Sequence, residues 1–145
     1  MTHYRRLLVL ALLALLAAGG FVAWKMMQPP PDGLDLALVK PSKAGLFRVA
    51  VAPESGRKEK GVLHAWTVEI KDAAGNPVND ARIAVDGGMP QHGHGLPTEP
   101  KAGASLGNGR YRIEGVRFNM GGWWVLRLGI EAGGKKDDVE FNIVL

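Results

Sequence analysis

The chain has 145 residues, 46% of them hydrophobic, with 18 Lys and Arg against 14 Asp and Glu, a size suited to one domain plus a short extra segment. It contains no cysteine, which excludes disulfides, zinc ribbons, thiol nucleophiles and acylation at a lipobox cysteine. Once Arg5, Arg6 and Lys25 beside the N-terminal apolar run are set aside, 15 basic residues face 14 acidic ones with alternating sign, which leaves no footprint for nucleic acid.

Residues 1–28 read as a membrane anchor or signal segment. Leu7 to Trp24 carries no charge over 18 residues, roughly 27 Å as a helix and close to the thickness of a bilayer core. Trp24 falls at the level of an interfacial aromatic belt, and Arg5 with Arg6 would hold the N-terminus in the cytoplasm. The remainder would then be exported, to the periplasm in a Gram-negative cell. A cleaved signal peptide is the competing reading, with Ala17-Ala18-Gly19 as its small-residue site. The apolar run continues past that site to Trp24, which favours an uncleaved, single-pass anchor. Residues 29–44 form a Pro-containing linker and a possible first strand. Three consecutive prolines, Pro29 to Pro31, make an extended, semi-rigid spacer that would hold the domain off the membrane.

Residues 45–145 have period two, broken by turn residues. Leu34–Leu38 alternates weakly and Leu46–Ala52 is strand-like. Residues 62–70 put Val62, His64, Trp66, Val68 and Ile70 on one face. Ala81–Asp86 does the same with Ala81, Ile83 and Val85. Asn108-Gly109 is a two-residue hairpin signal. Beyond it the apolar phase moves from Tyr111 and Ile113 to Val116, Phe118 and Met120, and Gly115 at the change predicts a bulge. Trp124, Leu126, Leu128 and Ile130 share a further face, "AGGKKDD" turns the chain, and "VEFNIVL" closes the domain. About seven short strands predict an all-β fold, an immunoglobulin-like antiparallel β-sandwich behind one N-terminal transmembrane helix.

The segment Gly87–Pro100, "GGMPQHGHGLPTEP", carries the most chemistry. Met89 offers a thioether, and His92 and His94 offer imidazoles on either side of a glycine. Soft sulfur with imidazole selects copper, Cu(I) above all, while Cu(II) or zinc would also accept the imidazoles. Glycine, proline and histidine are also ordinary turn material, so the same residues read as a plain connection. Met120, before Gly121-Gly122, could reach that loop from a strand end or could continue the core stripe of Val116 and Phe118. His64 reads as a hydrogen-bonded, partly buried histidine. One of Trp123 and Trp124 must point away from the core, where it packs at an edge or shields a site. Glu99, near the histidines in sequence, could serve as a base or a ligand, and between Thr98 and Pro100 it fits a solvated loop charge equally well. Nothing resembles a catalytic triad, and the glycine-rich stretches lack the strand-to-helix setting of a phosphate loop, so no enzyme is expected.

From about Gly61 to Leu145 the chain resembles the YtkA-like/FixH-like family of small bacterial envelope domains. The segments that carry the resemblance are "LHAWTVEIKDAAGNPV", "MPQHGHG" and "FNMGGWW". The resemblance implies a membrane-anchored or secreted β-sandwich in the bacterial envelope, with several members linked to copper handling and FixH-like relatives to cation transport and assembly of copper oxidases. Some relatives place methionine where this chain has histidine. Carried over by position, it makes Met89, His92, His94 and Met120 the metal ligands of an exported copper-binding protein that buffers or delivers its ion. The alternative is a non-metal, immunoglobulin-like interaction subunit of an envelope complex, with a protein partner that the sequence does not name.

Overall fold

The computed structural model describes residues 2–145. A helix, α1 (Thr2–Met26), is followed by nine strands among the described residues. They are β1 (Val39–Pro41), β2 (Phe47–Pro53), β3 (Leu63–Asp72), β4 (Arg82–Met89), β5 (His94–Gly95), β6 (Lys101–Ser105), β7 (Arg110–Arg117), β8 (Trp123–Ala132) and β9 (Lys135–Val144). The stretch His3–Trp24 of α1 is long and apolar enough to cross a membrane and packs against nothing. A membrane anchor and a signal sequence both have this character.

The strands form two antiparallel sheets, ordered β1-β2-β3-β7-β6 and β5-β4-β8-β9. Their inner faces are the period-two sets read from the sequence. His64, Trp66, Val68 and Ile70 of β3 are buried, as are Trp124, Leu126, Leu128 and Ile130 of β8. Each large side chain fully removed from water contributes roughly 1.5–3 kcal/mol. Phe118 joins the two sheets at one end, with its ring 5.3 Å from that of Trp124 and 6.3 Å from that of Trp66, at interplanar angles of 61° and 79°. The fold is the expected immunoglobulin-like sandwich, including a buried Tyr111 whose hydroxyl donates to the Val78 carbonyl and accepts from the Ala81 amide.

Local turn chemistry also follows the sequence. Asn108 and Gly109 both take positive φ (54° and 70°), and Arg110 N–H donates to the Gly107 carbonyl across them, the geometry of a primed hairpin turn. Gly115 has φ 83°, and the β3–β7 register slips there: His64 faces Val116 but Trp66 faces Ile113. The extra residue on β7 is the expected bulge.

Several boundaries differ from expectation. Leu34–Leu38 forms no strand; β1 begins at Val39. Val62 is exposed rather than part of the β3 face. β9 starts at Lys135, because Gly133 and Gly134 alone make the turn, at φ 54° and 73°. The short strands β5 and β6 had no periodic signal to reveal them. The linker does not stand free as a spacer: Gln91 Nε2 donates to the Pro29 carbonyl at 2.9 Å, and Asn142 Nδ2 donates to the Asp35 carbonyl at 2.9 Å.

These ties orient the molecule. β4 ends, β8 begins, β9 ends and β7 ends at one pole of the sandwich. The linker enters at that same pole, so it is called here the helix end. The opposite pole holds the 42–46, 73–80, 106–109 and 133–134 connections.

Candidate metal site

The helix end brings together three of the four expected ligands through backbone pairing. Gly87, Gly88 and Met89 are not loop but the last residues of β4. Only Pro90–Gly93 turns the chain, and the amides of His92 and Gly93 both donate to the Met89 carbonyl, at 3.1 and 3.0 Å. Met89 then pairs with His94, and Gly88 with Gly95. The two glycines of β4 make this hairpin fit. A Cβ on Gly88 would stand 2.2 Å from the His94 carbonyl oxygen, and one on Gly87 would stand 2.2 Å from that of Val125. Gly93, at φ 65°, supplies the left-handed residue between the histidines.

The rings of His92 and His94 lie 6.2 Å apart, centre to centre, tilted by 47°. An imidazole nitrogen holds copper or zinc at about 2.0 Å, which places the ion roughly 3 Å from the ring centre. Two rings with centres about 6 Å apart can therefore share one ion in a near-linear arrangement, with a nitrogen of each ring turned toward it. His92 is half-buried and His94 exposed.

The methionines take opposite places to those the stripe implied. Met120 leaves the Val116/Phe118 stripe and is 37% exposed, whereas Met89 is buried at 1%. The connection 118–122 carries Met120 to the helix end, and its backbone carbonyl accepts the indole N–H of Trp124 at 3.0 Å. Gly122, at φ 113° in the same connection, sits over Met89: a Cβ there would be 3.2 Å from the Met89 methyl carbon. Met89 thus lies beneath the connection that presents Met120. Among the described residues no three His, Asp or Glu side chains cluster closely enough to share an ion. A metal at this pole would depend on two imidazoles and thioether sulfur.

The other singled-out residues have structural settings. His64 is buried, its ring 6.1 Å from that of Phe118, and its Nε2 lies 2.7 Å from the Glu59 carbonyl oxygen and 3.2 Å from the Glu59 amide nitrogen. Trp123 is the outward tryptophan; its indole N–H donates to Asn142 Oδ1 at 3.0 Å, and Asn142 in turn holds the linker. Glu99 is exposed. The role of Gln91 in fastening the linker beside the histidines had no signal in the sequence.

Fold and pole together define a small β-sandwich domain behind an apolar N-terminal helix, with a methionine- and histidine-bearing hairpin at the helix end. The family model described as YtkA-like matches residues 42–129, and the chain belongs to that family. In fold it is similar to the crystal structure of a DUF4426 family protein from Pseudomonas aeruginosa PAO1, with a TM-score of 0.53 and 16% identity over 74% of this chain and 94% of the other. A search among curated proteins gave no match.

Proposed function

We propose that this YtkA-like domain is exported, held at the bacterial inner membrane by α1, and binds copper for buffering or delivery. His92 and His94 supply the imidazoles, Met120 an exposed thioether and Met89 a second one from below. The observation that carries the reading is the approach of the two histidine rings to 6.2 Å on a backbone-pinned hairpin. The thioethers favour Cu(I) over zinc. Met89 is unbranched and its sulfur can re-aim by rotamer change. In this reading Arg5 and Arg6 keep the N-terminus cytoplasmic, the domain is periplasmic, and the protein performs no catalytic step.

An anaerobic competition titration against a Cu(I) chelator tests this. Wild type should take up one Cu(I). Loss of even an outer-shell partner costs a metal site roughly 10–100-fold in affinity, so the His92→Ala/His94→Ala variant should lose more than that. Protons compete for imidazole nitrogens, so affinity should fall as the solution is acidified. A double variant that holds Cu(I) as tightly as wild type would show the site to be wrong.

The burial of Met89 in the core favours a second reading, a non-metal immunoglobulin-like interaction subunit of an envelope complex. Absence of stoichiometric copper on wild type would put that reading first.

A further inference from the structure

The helix end carries a second feature that copper does not use. The β2–β3 connection, residues 54–62, holds Arg57, Lys58 and Lys60 against Glu59, and Arg117 pairs with Leu63 directly beside it. Arg57 is 81% exposed and only 3.9 Å from Glu59, while Lys58, Lys60 and Arg117 form no ion pair among the described residues. Glu54 is already bound to Arg112 at 2.8 Å. Beside these cations two apolar side chains face solvent, Val62 at 47% and Leu63 at 63% exposure. The connection is pinned on the inner side, where Gly61 N–H donates to the Phe118 carbonyl at 2.7 Å and His64 meets Glu59. The cations and apolar tips are therefore presented outward on a fixed base.

Tether length decides what this surface meets. Helix α1 ends at Met26, and Pro29 is already hydrogen-bonded to Gln91. Three residues span at most about 11 Å, so the pole cannot lie further than that from the helix terminus. A basic loop with protruding apolar side chains, held so close to a membrane, matches an anionic headgroup layer in charge and polarity. We propose that the 57–63 segment, with Arg117, seats the helix end on the anionic lipid surface of the membrane that α1 spans. The inference rests on the anchor reading above, not on copper. Each cation near an anionic surface strengthens docking roughly fivefold. The tether makes the encounter intramolecular, so a few such contacts suffice.

The chain has no cysteine, so single labels are clean. Full-length protein carrying a fluorophore at Leu63→Cys, or at Ala74→Cys at the opposite pole, is placed in nanodiscs whose lipids bear a headgroup quencher. In discs rich in phosphatidylglycerol the Leu63 label should be quenched severalfold more than the Ala74 label. Arg57→Glu with Lys58→Glu and Lys60→Glu should abolish most of that difference, as should raised salt. Equal quenching at the two poles, or a Leu63 signal indifferent to lipid charge and to the triple variant, overturns the proposal. A chain that fails to enter the discs at all loses the anchor reading, and this inference with it.

Discussion

The two poles of the sandwich use their polar groups in opposite ways. At the far pole Asp137, Asp72 and Asn79 are consumed in closing the fold. The buried Asp137 carboxylate accepts from the Ser42 hydroxyl at 2.5 Å and from the amides of Ala44, Leu46 and Asp138 at 3.0, 3.2 and 2.8 Å. Asp72 accepts from the amides of Ala74 and Asn76, and Asn79 Oδ1 accepts the amide of Gly109. At the helix end Gln91, Trp123, Trp124 and Asn142 hold the linker and connections beside backbone bonds, while the side chains of His92, His94 and Met120 make no hydrogen bond among the described residues. One pole fastens the fold, and the other has its chemistry to spare.

Breaking the far pole should therefore have the largest effect on stability. Asp137→Ala strands a buried hydroxyl and several amides, and should cost about 2–4 kcal/mol in denaturant unfolding. The same carboxylate gives the pole its pH dependence. Burial alone would raise the Asp137 pKa, but the hydrogen bonds from Ser42, Ala44, Asp138 and Leu46 outweigh it and leave it below its ordinary value. A carboxyl lowered in the folded state adds stability that is complete above its unfolded pKa, about 3.9, and is lost as pH falls through the lower folded value. Unfolding followed between pH 5 and 2 should show this loss, and Asp137→Asn should flatten it.

A smaller effect is expected where the scaffold of the helix end is disturbed. Gly88→Ala forces a Cβ toward the His94 carbonyl oxygen, 2.2 Å away. It should cost roughly 1–3 kcal/mol and weaken Cu(I) binding by displacing His94, as read by thermal unfolding and chelator competition on one sample. Smallest of all should be the stability changes in His92→Ala/His94→Ala and in Met120→Leu, within roughly 0.5 kcal/mol of wild type in the absence of metal. A loss comparable to that of Asp137→Ala would erase the contrast between the poles.

The legible parts of the molecule were those with a repeating or obligatory local cause. The alternation through Trp66–Ile70 and Trp124–Ile130 marked the core strands, and Asn108-Gly109 and Gly115 marked turn and bulge because few residues other than glycine and asparagine accept positive φ. What did not show was set by tertiary neighbours. Gly87-Gly88 reads as a turn, yet it extends β4 because flanking backbones approach too closely for a side chain. Met120 continues an apolar phase but is lifted out of it by the connection to β8, and Met89 beside two histidines is drawn into the core. The Asp137 latch joins residues 91 to 95 positions apart, a separation at which no local pattern operates.

The central claim is that the two imidazoles and a methionine sulfur at the helix end share one ion. X-ray absorption at the copper edge tests it most directly, on anaerobic Cu(I)-loaded wild type, Met120→Leu and Met89→Leu. The account predicts a first shell of imidazole nitrogen with thioether sulfur in wild type, and a reduced sulfur contribution with retained nitrogen when Met120 or Met89 is replaced. A wild-type shell without sulfur, or a shell unchanged in both methionine variants, would contradict it.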